Sequence, residues 1–135
     1  MSGKIYTAGQ LHELSMLENE ARLYGADTDR FWMNLVTKDH AAVLTAEMHD
    51  DEADIYLVVE GEGELYLGGS LVAPHLLRAG QHRGTGLDGA SCHHLTAGDL
   101  IVIPAGTPHM VDARNNRLVY AVIKQKMETA GKDAL

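Results

Sequence analysis

The stretch from Gly98 to His109 constrains the fold more than any other part of the chain. It reads Gly-Asp-Leu-Ile-Val-Ile-Pro-Ala-Gly-Thr-Pro-His, so four aliphatic residues are followed by a turn built on Pro104 and Gly106. A short aliphatic run bounded by glycine and proline is typical of a buried strand. The sequence therefore predicts a sheet in which a turn delivers a histidine to the end of a strand.

The composition favours an all-β fold with a short N-terminal helix. A chain of 135 residues suits one domain with its own core. Many of its 14 glycines lie between residues 61 and 106, among short Val, Ile, Leu and Tyr runs, which is typical of strands joined by tight turns. Only the first thirty residues predict a helix, because apolar residues recur there every three or four positions before Gly25, namely Leu11, Leu14, Leu17 and Ala21.

Charge and cysteine content exclude several function classes. The formal net charge of −8 opposes a phosphate backbone or an anionic membrane, so we expect neither nucleic acid nor a membrane as partner. Cys92 is the single cysteine, so the fold stands without an internal disulfide. Because no apolar run approaches the roughly 20 residues needed to cross a bilayer, a cytoplasmic location is expected.

Three segments divide the chain: a helical arm over 1–30, a β-domain over 31–124 and a polar tail over 125–135. Within the β-domain, the glycines at 61 and 63 predict a hairpin turn that joins two short strands. Residues 68–91 carry six glycines and predict a long loop. Such a loop is either a lid over a site or a surface excursion.

A second informative stretch begins at Glu47 and places several polar side chains on one face. Side chains alternate across a strand, so Glu47 and His49 share a face at the end of an apolar run. On the next strand Asp54, Tyr56 and Val58 share a face. Polar residues in step at a strand end must face water, a partner or a metal ion.

These two stretches resemble the two signatures of the cupin superfamily. Gly98 to His109 matches the second signature: glycine, five residues, proline, one residue, glycine, two residues, histidine. The first signature, His-x-His followed by Glu and Gly, is matched with Glu47 in place of its first histidine and Asp54 in place of its glutamate. The resemblance covers about residues 42–123 and implies a double-stranded β-helix, or jelly-roll barrel.

The resemblance further implies that Glu47, His49, Asp54 and His109 occupy the places of the cupin metal ligands. Imidazole and carboxylate together suit a divalent transition metal such as Zn, Ni, Mn, Fe or Co. Asp54 is one methylene shorter than the usual glutamate. It is therefore either a fourth ligand or a group that orients His49 or a bound water. In the second case the ligands are two histidines and one carboxylate. The alternative is a metal-free pocket in which these residues bind one another or a ligand.

Three residues are candidates for catalysis: Asp54, Tyr56 and His93. The run Cys92-His93-His94 does not predict a second metal site, because adjacent side chains on a strand point to opposite faces. His93 shares its face with Leu95, so it is expected either to line the pocket as an acid or base or to pack there.

Three functions remain open on this evidence. The first is a metal-dependent enzyme of the isomerase, lyase or dioxygenase type that acts on a small polar organic metabolite. The second is a non-catalytic protein that binds a small molecule without a metal. The third is metal-independent catalysis, of the kind found in sugar epimerases, by His49 or His93 with Asp54 and Tyr56. A homodimer is expected in each case, because the outward face of one strand is aliphatic, at Ile55, Leu57 and Val59.

Overall fold

The computed structural model describes residues 3–127 and contains one helix and twelve strands in that range. The all-β prediction with a short N-terminal helix is thereby confirmed. In chain order the elements are α1 (Ala8–Leu17), β1 (Glu20–Tyr24), β2 (Phe31–Asp39), β3 (Ala46–His49), β4 (Glu52–Leu67), β5 (Ser70–Val72), β6 (His75–Arg78), β7 (Gln81–Gly84), β8 (Gly86–Asp88), β9 (Ser91–Thr96), β10 (Leu100–Ile103), β11 (His109–Asp112) and β12 (Arg117–Lys126).

The helix is shorter than its spacing predicts. It begins after Thr7, whose side chain accepts a hydrogen bond from the Gln10 amide in a capping box, and it ends at Leu17. The apolar residues that follow alternate instead, since Ala21 and Leu23 are buried on either side of the exposed Arg22 in β1. The helical prediction was wrong for this segment because pairing with β2 favours the period of a strand.

Ten strands form one sheet in the order β1-β2-β12-β4-β11-β3-β7-β6, with β9 and β10 paired to β4. The sheet is not closed into a barrel: β1 and β6 lie at the ends of this order. The long strand β4 divides the sheet into two halves, because its first part pairs with β12 and β10 and its last part pairs with β9 and β11. The remaining two strands, β5 and β8, pair with each other.

The predicted hairpin at residues 61–63 is absent, because β4 runs through it without interruption. Gly61 adopts a positive φ of 75° where it pairs with Leu118, close to the irregularity in the β4–β12 register between Val119 and Tyr120. A Cβ at this position would lie 1.8 Å from the carbonyl oxygen of Arg117. The glycine therefore permits the close approach of β12 and does not reverse the chain.

Two apolar clusters lie on opposite faces of the β4–β12 half of the sheet. The inner cluster joins both halves, with Tyr56, Val58 and Leu118 on one side and Leu65 on the other. The outer cluster is built around Leu35 and is covered by residues of α1. The inner face therefore holds the core and also the cavity described below.

The structure differs from two further predictions. Residues 68–91, expected as a loop, contain the short strands β5 to β8, so this segment is ordered against the sheet. Strand β12 extends through Lys124 to Lys126, beyond the point where a polar tail was expected. Most of that tail, residues 128–135, lies outside the described residues. The three-segment division of the chain stays a prediction.

Candidate metal centre

A cavity of about 570 Å³ lies between the two halves of the sheet. Strands β1, β2, β4 and β12 form one wall, and β3, β7 and β11 contribute to the other. Four predicted site residues line it together: Glu47, His49, Asp54 and His109. The structure thus brings the two sequence stretches to one place.

Local backbone contacts explain this convergence. Glu47 and His49 share the inner face of β3, and His109 opens β11 directly opposite Glu47 in the strand register. The turn before His109 is tied to the end of β3, because the Gly106 amide donates to the His49 carbonyl at 2.7 Å. The proline-glycine turn therefore sets the position of His109 relative to His49.

The polar atoms of these residues face one another at short distances. The Asp54 Oδ2 atom lies 3.2 Å from His49 Nε2 and 3.5 Å from His109 Nε2. The Glu47 Oε2 atom lies 3.9 Å and 3.7 Å from the same two nitrogens. Ligand atoms of a tetrahedral site with bonds of about 2.1 Å are roughly 3.4 Å apart. The spacing thus matches that of atoms gathered around one ion.

Both imidazoles are fixed with Nε2 directed at this point. The His49 Nδ1–H donates to Gln81 Oε1 at 2.6 Å, and the His109 Nδ1–H donates to the Thr107 carbonyl at 3.0 Å. Gln81 is held in this orientation because its amide nitrogen donates to Glu52 at 3.2 Å. With Nδ1 as the donor in each neutral ring, the Nε2 lone pairs are free to bind a metal ion.

Three of these atoms are buried without a hydrogen-bond partner: His49 Nε2, His109 Nε2 and Asp54 Oδ2. In residues 3–127, only Thr37 Oγ1 shares that condition among side-chain atoms. An unpartnered buried polar group is costly unless something binds it. The donor set and these atoms fit a divalent transition metal, with Glu47, His49 and His109 each offering a ligand atom within 4.8 Å of the others.

A cation lies beside each carboxylate, on the side away from the histidines. The Lys124 ammonium donates to Asp54 Oδ1 at 3.0 Å, and Arg83 Nε lies 3.4 Å from Glu47 Oε1. Burial acts to raise the pKa of Glu47, but the adjacent His109 imidazole and the Arg83 charge lower it to about 2. The pKa of Asp54 is likewise lowered against burial, by the adjacent imidazoles of His109 and His49. Both carboxylates are therefore ionised at neutral pH.

His109 carries a proton when no metal displaces it. Burial acts to lower its pKa, but the adjacent carboxylates of Asp54 and Glu47 and the hydrogen bond to the Thr107 carbonyl outweigh burial and raise the pKa to about 9. A metal ion bound at Nε2 must release that proton.

Of the three catalytic candidates, Asp54 and Tyr56 line the cavity and His93 does not. Asp54 lies at the centre of the site, and the buried Tyr56 ring lies with its centroid 6.4 Å from that of His109. Burial raises the pKa of Tyr56 well above its usual value, so the phenol keeps its proton. His93 does not belong to this cavity. It lines a smaller one with Leu65 and Leu95, because β9 pairs with the far end of β4.

Three residues of the site were not predicted from the sequence: Gln81, Arg83 and Lys124. The first two lie in a segment predicted as a loop, and they reach His49 and Glu47 only through the pairing of β7 with β3. Lys124 was expected at the last position of the β-domain, directly before the polar tail. Its even spacing from Tyr120 in an apolar strand is the signal that points it inward.

Comparison with known proteins places the fold. No protein-family model matches the sequence, and no functionally curated protein matches it. A Klebsiella pneumoniae protein with a double-stranded β-helix domain matches with TM-score 0.61 and 14% identity over 95% of this chain and 94% of its own. A cupin 2 conserved barrel domain protein from Salinispora arenicola matches with TM-score 0.50 and 19% identity over 87% and 84%.

A third similar structure is the DMSP lyase DddQ from Ruegeria pomeroyi, with TM-score 0.54 and 20% identity over 78% of this chain. The chain spans 45% of the length of that lyase. In the part of the chain that the structure describes, the one helix, α1, is too short to span a membrane. These structural similarities show that the chain has the cupin fold, the double-stranded β-helix.

Proposed function

We propose that this protein is a metal-dependent enzyme of the lyase or isomerase type that acts on a small polar organic metabolite in the cavity. Glu47, His49 and His109 are the proposed ligands, and Asp54 is the proposed fourth ligand through Oδ2. One observation carries the proposal: three buried atoms, His49 Nε2, His109 Nε2 and Asp54 Oδ2, have no hydrogen-bond partner. The second polar atom of each of these side chains already makes a hydrogen bond, which holds the unpartnered atom toward the site.

The ligand set favours lyase or isomerase chemistry over dioxygen activation. A divalent ion held there would polarise a carbonyl or hydroxyl oxygen of the substrate. Two carboxylates place two negative charges at this point, which lowers the Lewis acidity felt by the substrate. The protonated phenol of Tyr56 supplies a hydrogen-bond donor in the same wall. That one similar structure is a DMSP lyase supports the lyase class.

Turnover tests this proposal. The protein is stripped with a chelator, reloaded with Zn, Ni, Mn, Fe(II) or Co, and incubated with panels of hydroxy acids, keto acids and sugar acids under proton NMR. We expect elimination or isomerisation of at least one compound by loaded wild type, and none by the stripped protein or by His109→Ala. Conversion at equal rates by the stripped protein would contradict the proposal.

A second function has one observation in its favour. In the absence of an ion, protonated His109 lies between the two ionised carboxylates of Glu47 and Asp54 and offsets part of their charge. A metal-free protein that binds a metabolite in the 570 Å³ cavity without converting it is consistent with this state. Binding of a panel compound with no turnover under any metal would favour this second function.

We also propose a homodimer in the cytoplasm. The outer face near the edge strand β10 exposes three aliphatic side chains, with Leu57 44%, Leu100 65% and Val102 60% exposed. Leu57 and Leu100 are directly opposite each other on paired strands. A contiguous apolar surface of this kind is typical of a face that associates with another protein.

A further inference from the structure

We propose that the molecule bound in the cavity is a small carboxylate anion and that Arg83 and Lys124 recognise its carboxylate. This inference rests on the proposed function, because it names the substrate class of the same site. Three observations carry it: the distribution of charge between the cavity and the rest of the chain, the unused donors of the two cations, and the further cations of the wall.

The cavity holds a disproportionate share of the positive charge. Six of the 11 Lys and Arg residues line it, against six of the 19 Asp and Glu residues. The cavity is therefore formally neutral, and the whole net charge of −8 lies elsewhere on the chain. A divalent ion at the centre would make the cavity positive. Because a low-dielectric cleft focuses such a field, an anion is the ligand that it favours.

Arg83 and Lys124 lie on opposite walls of the cavity, and each has N–H groups that make no hydrogen bond within the described residues. Their side chains are 16% and 19% exposed, so both are largely withdrawn from bulk water. Arg83 uses Nε toward Glu47 and Nη1 toward the His82 carbonyl, and within residues 3–127 its Nη2 has no recorded acceptor. Lys124 donates one of its three N–H groups, to Asp54.

The contacts already present hold both cations in place. Each is anchored by one oxygen of a carboxylate whose other oxygen faces the histidines, so a single carboxylate separates each cation from the proposed ion. A carboxylate is the ligand group that suits this arrangement, since one oxygen can approach the ion while charge-assisted hydrogen bonds hold the other. A neutral amide offers one acceptor and no charge.

Further along the wall, Lys38, Arg78 and Lys126 add three cations without a carboxylate partner in the described part of the chain. Lys126 lies over the Trp32 ring, with its ammonium 5.6 Å from the ring centroid. These residues do not contact the proposed ligand atoms. They therefore allow the charge of the cavity to be changed without disturbing the histidines and carboxylates.

The experiment is isothermal titration of zinc-saturated protein with four pairs of probes: acetate, lactate, malonate and succinate, each against its neutral amide. Lys124→Met, Arg83→Met and the double variant are compared with Lys124→Arg and Arg83→Lys, and zinc content is measured in every sample. Lys38→Met tests a cavity cation remote from the ligands. Arg30→Met is the matched control, because Arg30 is exposed and lies outside the cavity wall.

We expect at least one anion to bind ten-fold more tightly than its amide. We expect each Met variant to lose at least ten-fold of that preference per zinc-loaded molecule, the conservative variants to retain it, and Lys38→Met to weaken it a few-fold. Equal binding of anions and amides, or an unchanged preference in zinc-loaded Met variants, would overturn the inference. A protein that holds neither zinc nor, after incubation with each, Ni, Mn, Fe or Co refutes the proposed function instead. The same probes on that metal-free protein then decide the inference alone.

Discussion

Replacing Gln81 by leucine tests whether the orientation of His49 matters to the proposed metal site. The Gln81 side chain is 6% exposed, and its Oε1 accepts the His49 Nδ1–H at 2.6 Å. Leucine fills a similar volume and offers no acceptor, so the buried N–H of His49 loses its partner. Such a loss costs about 1–3 kcal/mol, which corresponds to a change of roughly 5- to 150-fold in an equilibrium constant. That range overlaps the loss of metal affinity of about 10–100-fold that is typical when a contact supporting a ligand is removed.

The assay is competition for Zn²⁺ between the protein and a chromophoric chelator at pH 7.5. Gln125→Leu is the matched control, because it makes the same chemical change on β12 outside the cavity wall. We expect affinity to fall at least ten-fold in Gln81→Leu and to stay within two-fold of wild type in Gln125→Leu. Unchanged affinity in Gln81→Leu, with a normal thermal unfolding transition, would refute the argument that the hydrogen bond fixes His49 for binding.

Three further predictions concern stability and assembly. Because the pKa of His109 is raised from 6.5 to about 9, its contribution to the stability of chelator-treated protein is complete below pH 6.5 and lost as pH rises through 9. By about 1.4 kcal/mol per pKa unit the loss is about 3 kcal/mol, and a urea midpoint that is constant from pH 6 to 9.5 would contradict it. Gly61→Ala is expected to lower the free energy of unfolding in urea by more than about 2 kcal/mol, because its Cβ would meet Arg117. Gly68 has a similar φ and open space around it, so Gly68→Ala should lower that free energy by about 1 kcal/mol. Equal losses in the two variants would exclude the clash. Leu100→Glu is expected to convert the proposed dimer to a monomer in sedimentation equilibrium, and a monomeric wild type would refute the dimer.

The sequence allowed the fold and the convergence of four polar residues to be predicted, because both depend on local signals. The turn at Pro104 and Gly106 and the two-residue spacing of Glu47 and His49 act within a few residues, and the structure brings these groups to one cavity. Asp54 reaches the same point despite its shorter side chain, since its Oδ2 lies 3.2 Å from His49 Nε2. The missing methylene is therefore compatible with a place beside the histidines.

The supporting residues could not be predicted, because they depend on strand pairing between distant segments. Gln81 is 32 positions from His49, and Lys124 is 70 positions from Asp54. No local spacing encodes either contact. The hairpin expected at Gly61 failed for a related reason: glycine at a turn and glycine at a close approach of two strands have the same appearance in a sequence, and only the position of Arg117 separates them.

The most direct test of the metal centre is elemental analysis by mass spectrometry of protein purified without an affinity tag or added metal, together with His49→Ala and His109→Ala. The account predicts close to one Zn, Ni, Mn, Fe or Co per chain in wild type and loss of that ion in both folded variants. A wild type that is free of metal as purified and stays free after incubation with each of the five ions would contradict it.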